Sequence, residues 1–420
     1  MNFIMNLIIN LKSSFKSIGI LCLMATSSGA ALAQTQARDS ALQQCLWPSG
    51  QQQTITPPQR LFELGSTSGK LFIHNLNAQI EHLQTQPSSQ ASRIALAHQL
   101  WQKGLIYSDM SLINQAAITA SQVIDSSATD LAMILRAQIN MSMHRFALAQ
   151  KDLLAVVQPT AKTQALMVQI GLLSGQAAIV PLALNQHSVA SAATLAGQYI
   201  ADEKLQHAEA ALARAVEGIE DTNPIPIVAL HLVSAKLAAA NNDEKLAVAH
   251  IRRAVERLPS HVGALEALAA HHQKARRYPP AIACLNLAKA HSPDPHLSGL
   301  LADAYAGAGD TQRAKAMNQQ TLLQFQQALL RYPHGYAGEA AHYLASHGNT
   351  QAQWRQAAKW AAFDANNRPM TEQWLLVANI HMKLNEFASA KATIELIHKR
   401  FELAPKQQKT LNVLMTKLNG

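Results

Sequence analysis

The stretch AVAHIRRAVERLP (Ala247–Pro259) returns in altered form as AIACLNLAKAHSP (Ala281–Pro293). Both follow one skeleton: Ala, three residues, Ile or Leu, two residues, Ala, four residues, Pro. Ala247, Ile251, Ala254 and Pro259 map onto Ala281, Leu285, Ala288 and Pro293, each 34 residues later. Spacings of four and three put the first three on one face of a helix. The alanines let a neighbouring helix approach closely, and the Pro beyond the last turn stops the helix because it cannot extend the hydrogen-bond ladder. A preceding helix carries its own small residue, Ala235 in one unit and Ala269 in the next. Each unit therefore reads as two antiparallel helices joined by a tight turn.

Composition agrees. The 420 residues are 48% hydrophobic, dominated by Ala and Leu, with 5% aromatics, which favours an all-α protein over a disordered or β-rich one. The N-terminus reads separately. Lys12 and Lys16 precede an apolar run, Ile18–Met24, and small residues ending in Ala31-Leu32-Ala33, the layout of a secretory signal peptide over 1–33. Cleavage after Ala33 is expected, with an uncleaved membrane anchor as the alternative. Removing the segment takes two lysines from the formal charge of +9 and leaves +7, spread without long blocks of like charge. Nucleic acid is not expected as a partner, for want of basic–aromatic interleaving.

The 34-residue helix–turn–helix resembles the tetratricopeptide repeat (TPR) family. Trp374, Val377, Ala378, Asn385-Glu386-Phe387, Ala390 and Ile394 follow the family pattern, with Pro405 beyond. Leu301, Ala302, Tyr305, Gly309-Asp310 and Ala314 make a second such unit. Ala196, Tyr199, Ala208, Leu212 and Ala215 make a third; Ala137, Phe146, Ala149, Leu153 and Val156 a fourth. About eight units result, with a degenerate one around Gly175 and Pro181 and with NPIPI (Asn223–Ile227) as an insertion lengthening a turn. The resemblance implies a right-handed α-solenoid over 91–420. Residues 34–58, rich in Gln, Ser, Thr and Pro, read as a flexible leader, and 59–90 as helices capping the N-terminal end of the stack. Gly309-Asp310 and Gly348-Asn349 read as inter-helix turns with a left-handed residue.

No nucleophile motif, phosphate loop or metal-ligand spacing stands out, so no enzyme and no cofactor is expected. His271, His272, His291 and His296 are the residues a metal- or solute-binding alternative would use, with His272 and His381 at positions where the repeat packs an aromatic. The resemblance implies a concave groove that binds a partner protein or peptide, lined by Gln138, Lys236, Gln273, Lys274, Asp303, Asn379 and Lys383. A basic patch of Arg252, Arg253, Arg257, Arg276 and Arg277 is a solvated face or a site for an acidic segment. A groove-binding scaffold of the cell envelope, periplasmic or secreted and associated with a membrane-bound complex, is the functional expectation. Cys45 and Cys284, far apart in sequence, read as two separate thiols, with a bridge as the open alternative.

Overall fold

A computed structural model describes residues 36–48, 60–85, 89–126, 128–174, 189–219, 222–401 and 403–419, which contain helices and no strand. The signal segment, the rest of the leader and the Gly175–Pro181 unit lie outside them. The first helix, α1, covers 36–46. Then come α2 (Arg60–Glu63), α3 (Gly69–Thr85), α4 (Gln90–Tyr107), α5 (Met110–Ser126), α6 (Asp130–Ser142), α7 (Phe146–Leu154) and α8 (Ala161–Leu173). Next are α9 (Val189–Ala201), α10 (Leu205–Glu217), α11 (Pro224–Ala240), α12 (Glu244–Arg257), α13 (Val262–Lys274) and α14 (Tyr278–Lys289). The array closes with α15 (Pro295–Gly307), α16 (Thr311–Arg331), α17 (Pro333–His347), α18 (Gln351–Asn367), α19 (Thr371–Lys383), α20 (Phe387–Arg400) and α21 (Pro405–Asn419). Helix pairs α4/α5, α6/α7, α9/α10, α11/α12, α13/α14, α15/α16, α17/α18 and α19/α20 stack in order, and the first helices of successive pairs touch one another from α11 to α19. This is an all-α solenoid of TPR-like repeats.

The skeleton alanines do what their spacing implies: Ala149, Ala208, Ala247, Ala281, Ala314 and Ala390 are all buried. Seven pairs or junctions turn in one way. Ser108, His144, Glu203, Asn242, Arg276, Gly309 and Asn385 all have φ between 47° and 84°. At each, the left-handed residue donates its N–H three residues back and the next residue donates five back, as Asn385 to the Met382 carbonyl (3.1 Å) and Glu386 to that of His381 (2.9 Å). This Schellman closure satisfies the last carbonyls of the first helix and reverses the chain. Gly348 departs from the expectation. Its backbone is extended, and its carbonyl accepts from Trp354 Nε1 (2.9 Å), so an aromatic side chain in place of a left-handed residue shapes that turn. The NPIPI stretch is not a turn insertion either. Asn223 caps α11 and both prolines sit in its first turn, where no N–H is needed, so the segment lengthens the helix to 17 residues.

The N-terminal region departs most from its sequence reading. Residues 36–46 of the supposed leader are helical, with Cys45 and Leu46 buried. Cys45 and Cys284 are joined in a disulfide across 239 residues, with Cα atoms 5.0 Å apart. Sequence distance is no obstacle because the array curls back on itself. Arg257 donates to Ser66 Oγ, Ser292 to the Ser108 carbonyl and His144 meets the His334 carbonyl, at separations of 191, 184 and 190 residues. The early helices thus run along the inter-repeat loops of α12 to α18 in register, one superhelical turn apart. At the first of these contacts, Gly69 opens α3 where any Cβ would collide with the Arg257 carbonyl. The 59–90 stretch packs α3 on α4, as a cap would, but also ties the two turns together.

Two outcomes are expected. Replacing Cys45 and Cys284 together by Ser and Ala lowers the unfolding free energy by about 2–5 kcal/mol in urea titration, since the closed loop is long. Arg276→Gly, which relieves a left-handed backbone at a helix C-terminus, raises it by about 1 kcal/mol.

Candidate functional site

The solvent-facing stripe of the first helices follows from what the buried positions leave over. In α15 the residues Leu297, Leu301, Ala302 and Ala304 point into the stack, leaving His296, Leu300 and Asp303 on the open side. In α17 the open positions are Glu339, His342 and Ser346; in α13 they are Glu266, Ala270 and Gln273. Helix α19 continues the row with Glu372, Asn379 and Lys383. Cross-links between neighbours hold the stripe together. Gln273 donates to the Leu300 carbonyl (3.2 Å), His347 meets Asp303 (2.8 Å), and Lys383 donates to the Ala345 carbonyl.

The middle of this stripe is rich in carboxyls. Asp109 caps α5, accepting from the backbone of Ser111 and Leu112 (2.8 and 3.3 Å), and Asp294 caps α15, accepting from His296 (2.9 Å). The curl of the chain brings Ser108 onto Ser292, and with it Asp109 into electrostatic reach of Asp294. Glu339 is exposed on the open side of α17. Burial and the charge of Asp294 push Glu266 up to about 8. Burial raises Asp294 to about 6, helped by Asp109 and opposed by the His296 backbone hydrogen bond. Burial, then Asp294 and Glu266, raise Glu339 well above the usual carboxylate range. The cation at this place is already committed: Arg368 grips Asp364 through two hydrogen bonds (2.7 and 2.8 Å), against the open flank that Gly338 leaves on α17.

The residues expected to line the groove scatter. Gln273, Asp303 and Lys383 lie on the stripe, as links between helices, and Asn379 lies on it exposed. Lys274 pairs with Glu244 at its edge. Gln138 is half-buried on α6, in the first turn of the superhelix, and Lys236 is exposed on α11. Glu266, Asp294, Glu339 and His342 were missed, and His296 was named only for the metal alternative. A step of seven back from Gln273 and Asp303 along the same helical face finds Glu266 and His296.

The basic patch is largely spoken for. Arg252 stacks on Trp47, with its guanidinium carbon 4.6 Å from the ring centroid. Arg253 donates to the Phe62 carbonyl (3.3 Å) and pairs with Glu256. Arg257, 8% exposed, donates to the carbonyls of Phe62 and Leu64 and to Ser66. Arg277 meets His271 Nε2 (2.8 Å), and Arg276 is exposed at its left-handed turn. The patch is a clamp for the chain's own N-terminal segment. The histidines of the metal alternative also part company. His271 faces Arg277, buried His272 meets the Cys45 carbonyl (2.7 Å), His291 stacks on Tyr107 and His296 enters the groove. Among the described residues no three His, Cys, Asp or Glu side chains form a metal-holding group, and no helix is long and apolar enough to cross a membrane.

No family model and no curated protein matches the chain. Among solved structures, the APC/C hetero-tetramer Cut9–Hcn1 overlaps with a TM-score of 0.43 at 12% identity, over 78% of this chain and 63% of that one, so the chain spans under two thirds of its length. A human IFIT1 dimer with PPP-AAAA gives 0.43 at 11% identity over 80% and 96%. Yeast Tom70 gives 0.27 at 11% over 83% and 94%. Overlaps this loose carry nothing about partners.

The titrating groups predict a stability maximum. Below pH 6.5 the unfolded chain takes up protons that buried histidines refuse: burial holds His144, His250, His261 and His271 at about 4 and His231 at about 2. Above pH 6.5 the folded state loses the protons it retains on Asp294 and Glu266 through about 6 to 8, while the unfolded chain has none left to lose there. The urea midpoint should therefore peak between pH 6 and 7 and fall on both sides. Changing Glu266 and Glu339 to Gln should flatten the alkaline limb alone.

Proposed function

We propose that the protein is a non-enzymatic interaction scaffold, exported through its N-terminal signal, that holds a cationic segment of a partner polypeptide in the acidic groove of α13 to α19 within the cell envelope. The observation that carries this reading is the row of open positions across four consecutive first helices, which places Glu266, Asp294, Asp303, Glu339 and Glu372 in one groove of a chain whose formal net charge is +9. Carboxyls that burial and mutual repulsion hold protonated ionise against an incoming Lys or Arg, whose charge favours the carboxylate, so binding there releases protons. The charge points to a basic partner segment, opposite in sign to the acidic one that the arginine patch suggests by itself. Export is supported by the signal-like sequence over 1–33 and by the Cys45–Cys284 bridge, which suits an oxidising compartment.

In-cell crosslinking of a C-terminally tagged chain, read from the osmotic-shock and membrane fractions, tests the proposal. One dominant polypeptide should be captured by the wild type, and its yield should drop at least tenfold with Glu266→Gln/Glu339→Gln, a variant whose urea midpoint at pH 6.5 matches that of the wild type. Undiminished capture by that variant, or recovery of the chain from the cytoplasm with residues 1–33 attached, would count against the groove or the export reading respectively.

A further inference from the structure

Helix α2 is one turn long and cannot persist without its surroundings. It survives because the seam between α10, α11 and α12 holds it the way a receptor holds a peptide. Leu61, 3% exposed, enters a cluster of Ala208, Ala211, Leu212, Ala215, Ile227 and Leu230. Phe62 lies against two buried imidazoles, 5.2 Å from His231 and 4.5 Å from His250 between ring centroids. His231 and His250 share a hydrogen between their Nδ1 atoms (3.0 Å), and His231 Nε2 has no hydrogen-bond partner. Arg253 and Arg257 then take the carbonyls left free at the helix end, those of Phe62 and Leu64. Next to Leu61 the seam continues as a cavity of about 350 Å³. Its walls include Leu212, Val216, Leu237 and Leu246, and it is edged by Glu209 and Glu217 beside Arg60.

We propose that this seam is a second binding site, for a short helical segment of a partner polypeptide in which a basic residue precedes an adjacent Leu and Phe, and that α2 occupies the site in cis until such a segment displaces it. The sequence of α2, RLFE, is the template for the ligand: the apolar pair fits the cluster and the imidazoles, and a basic residue in the place of Arg60 borders the cavity that Glu209 and Glu217 also line. The cavity gives a partner helix longer than four residues room that α2 does not use. A second copy of the chain is a poorer occupant, because α2 is held in cis on both flanks, by the Cys45–Cys284 bridge before it and by α3 packed on α4 after it. The site is independent of the acidic groove.

The probe is a fluorescein-labelled peptide of residues 59–66, QRLFELGS, titrated by anisotropy against the oxidised full chain. Leu61→Ser/Phe62→Ser removes the competitor in cis and should tighten binding at least tenfold over the wild type, because tethering gives α2 a high effective concentration. Adding Arg257→Gln should reverse that gain. Leu61→Ala alone, milder for folding, should give an intermediate affinity. Absence of binding to a double variant that keeps its far-UV circular dichroism would overturn the proposal. So would equal affinity in wild type and variant, or affinity indifferent to Arg257→Gln. A wild-type dimer that dissociates on adding excess unlabelled peptide would assign the seam to a second copy and overturn it as well.

Discussion

The guanidinium of Arg257 sits where the two turns of the superhelix meet, and the architecture turns on what it is asked to do. A buried cation without a carboxylate partner is costly, and among the described residues Arg257 donates to Ser66 and to main-chain carbonyls of another part of the chain. Those carbonyls lie 193 and 195 residues earlier. Meeting the hydrogen-bonding needs of one arginine therefore requires the array to complete a turn. Once it does, Gly69 fits against the α12 terminus, Ser108 reaches Ser292 and His144 reaches His334.

The same closure accounts for the electrostatics. Asp109 and Asp294 are ordinary helix caps when each is taken with its own helix, and a carboxylate is favourable there. Brought together by the curl they become a repelling pair, with Glu266 and Glu339 adding to the same field. A net positive protein thus carries a stretch rich in carboxyls, of which Glu266 and Glu339 are held largely protonated near neutral pH by burial and mutual repulsion. Helix caps serve local folding first, and the global shape then sets these two against each other.

How much of this could be read from the sequence divides along the range of the interactions. The helix pairs, the buried alanines and the closing prolines are set within 34 residues, and they were legible. Gly348 was misread because a Gly at a turn signals freedom and not a particular φ, and Trp354 settles the matter from six residues away. NPIPI was misread because two prolines suggest a break, whereas the capping Asn223 converts them into a helix start. The groove was partly legible: Gln273, Asp303, Asn379 and Lys383 mark the open face of α13, α15 and α19, whereas Glu266 and Glu339 on that face were not named. The arginine clamp, the disulfide and the seat of α2 were beyond any local pattern, since each joins residues about 150 or more positions apart.

That separation has a consequence in time. An open helical-repeat array can fold as it emerges, each unit settling on the one before. Here α1, α2 and α3 are made first, and their docking partners around Arg257, His272 and Cys284 follow about 190 to 240 residues later. At ordinary rates of synthesis this is a wait of roughly 10–50 s. Throughout it Cys45 is an unpaired thiol, and Leu61 and Phe62 have no cavity to enter. The segment that seals the finished molecule is, for that interval, its stickiest part, and a holdase that shields residues 36–66 until the array closes would find its client there.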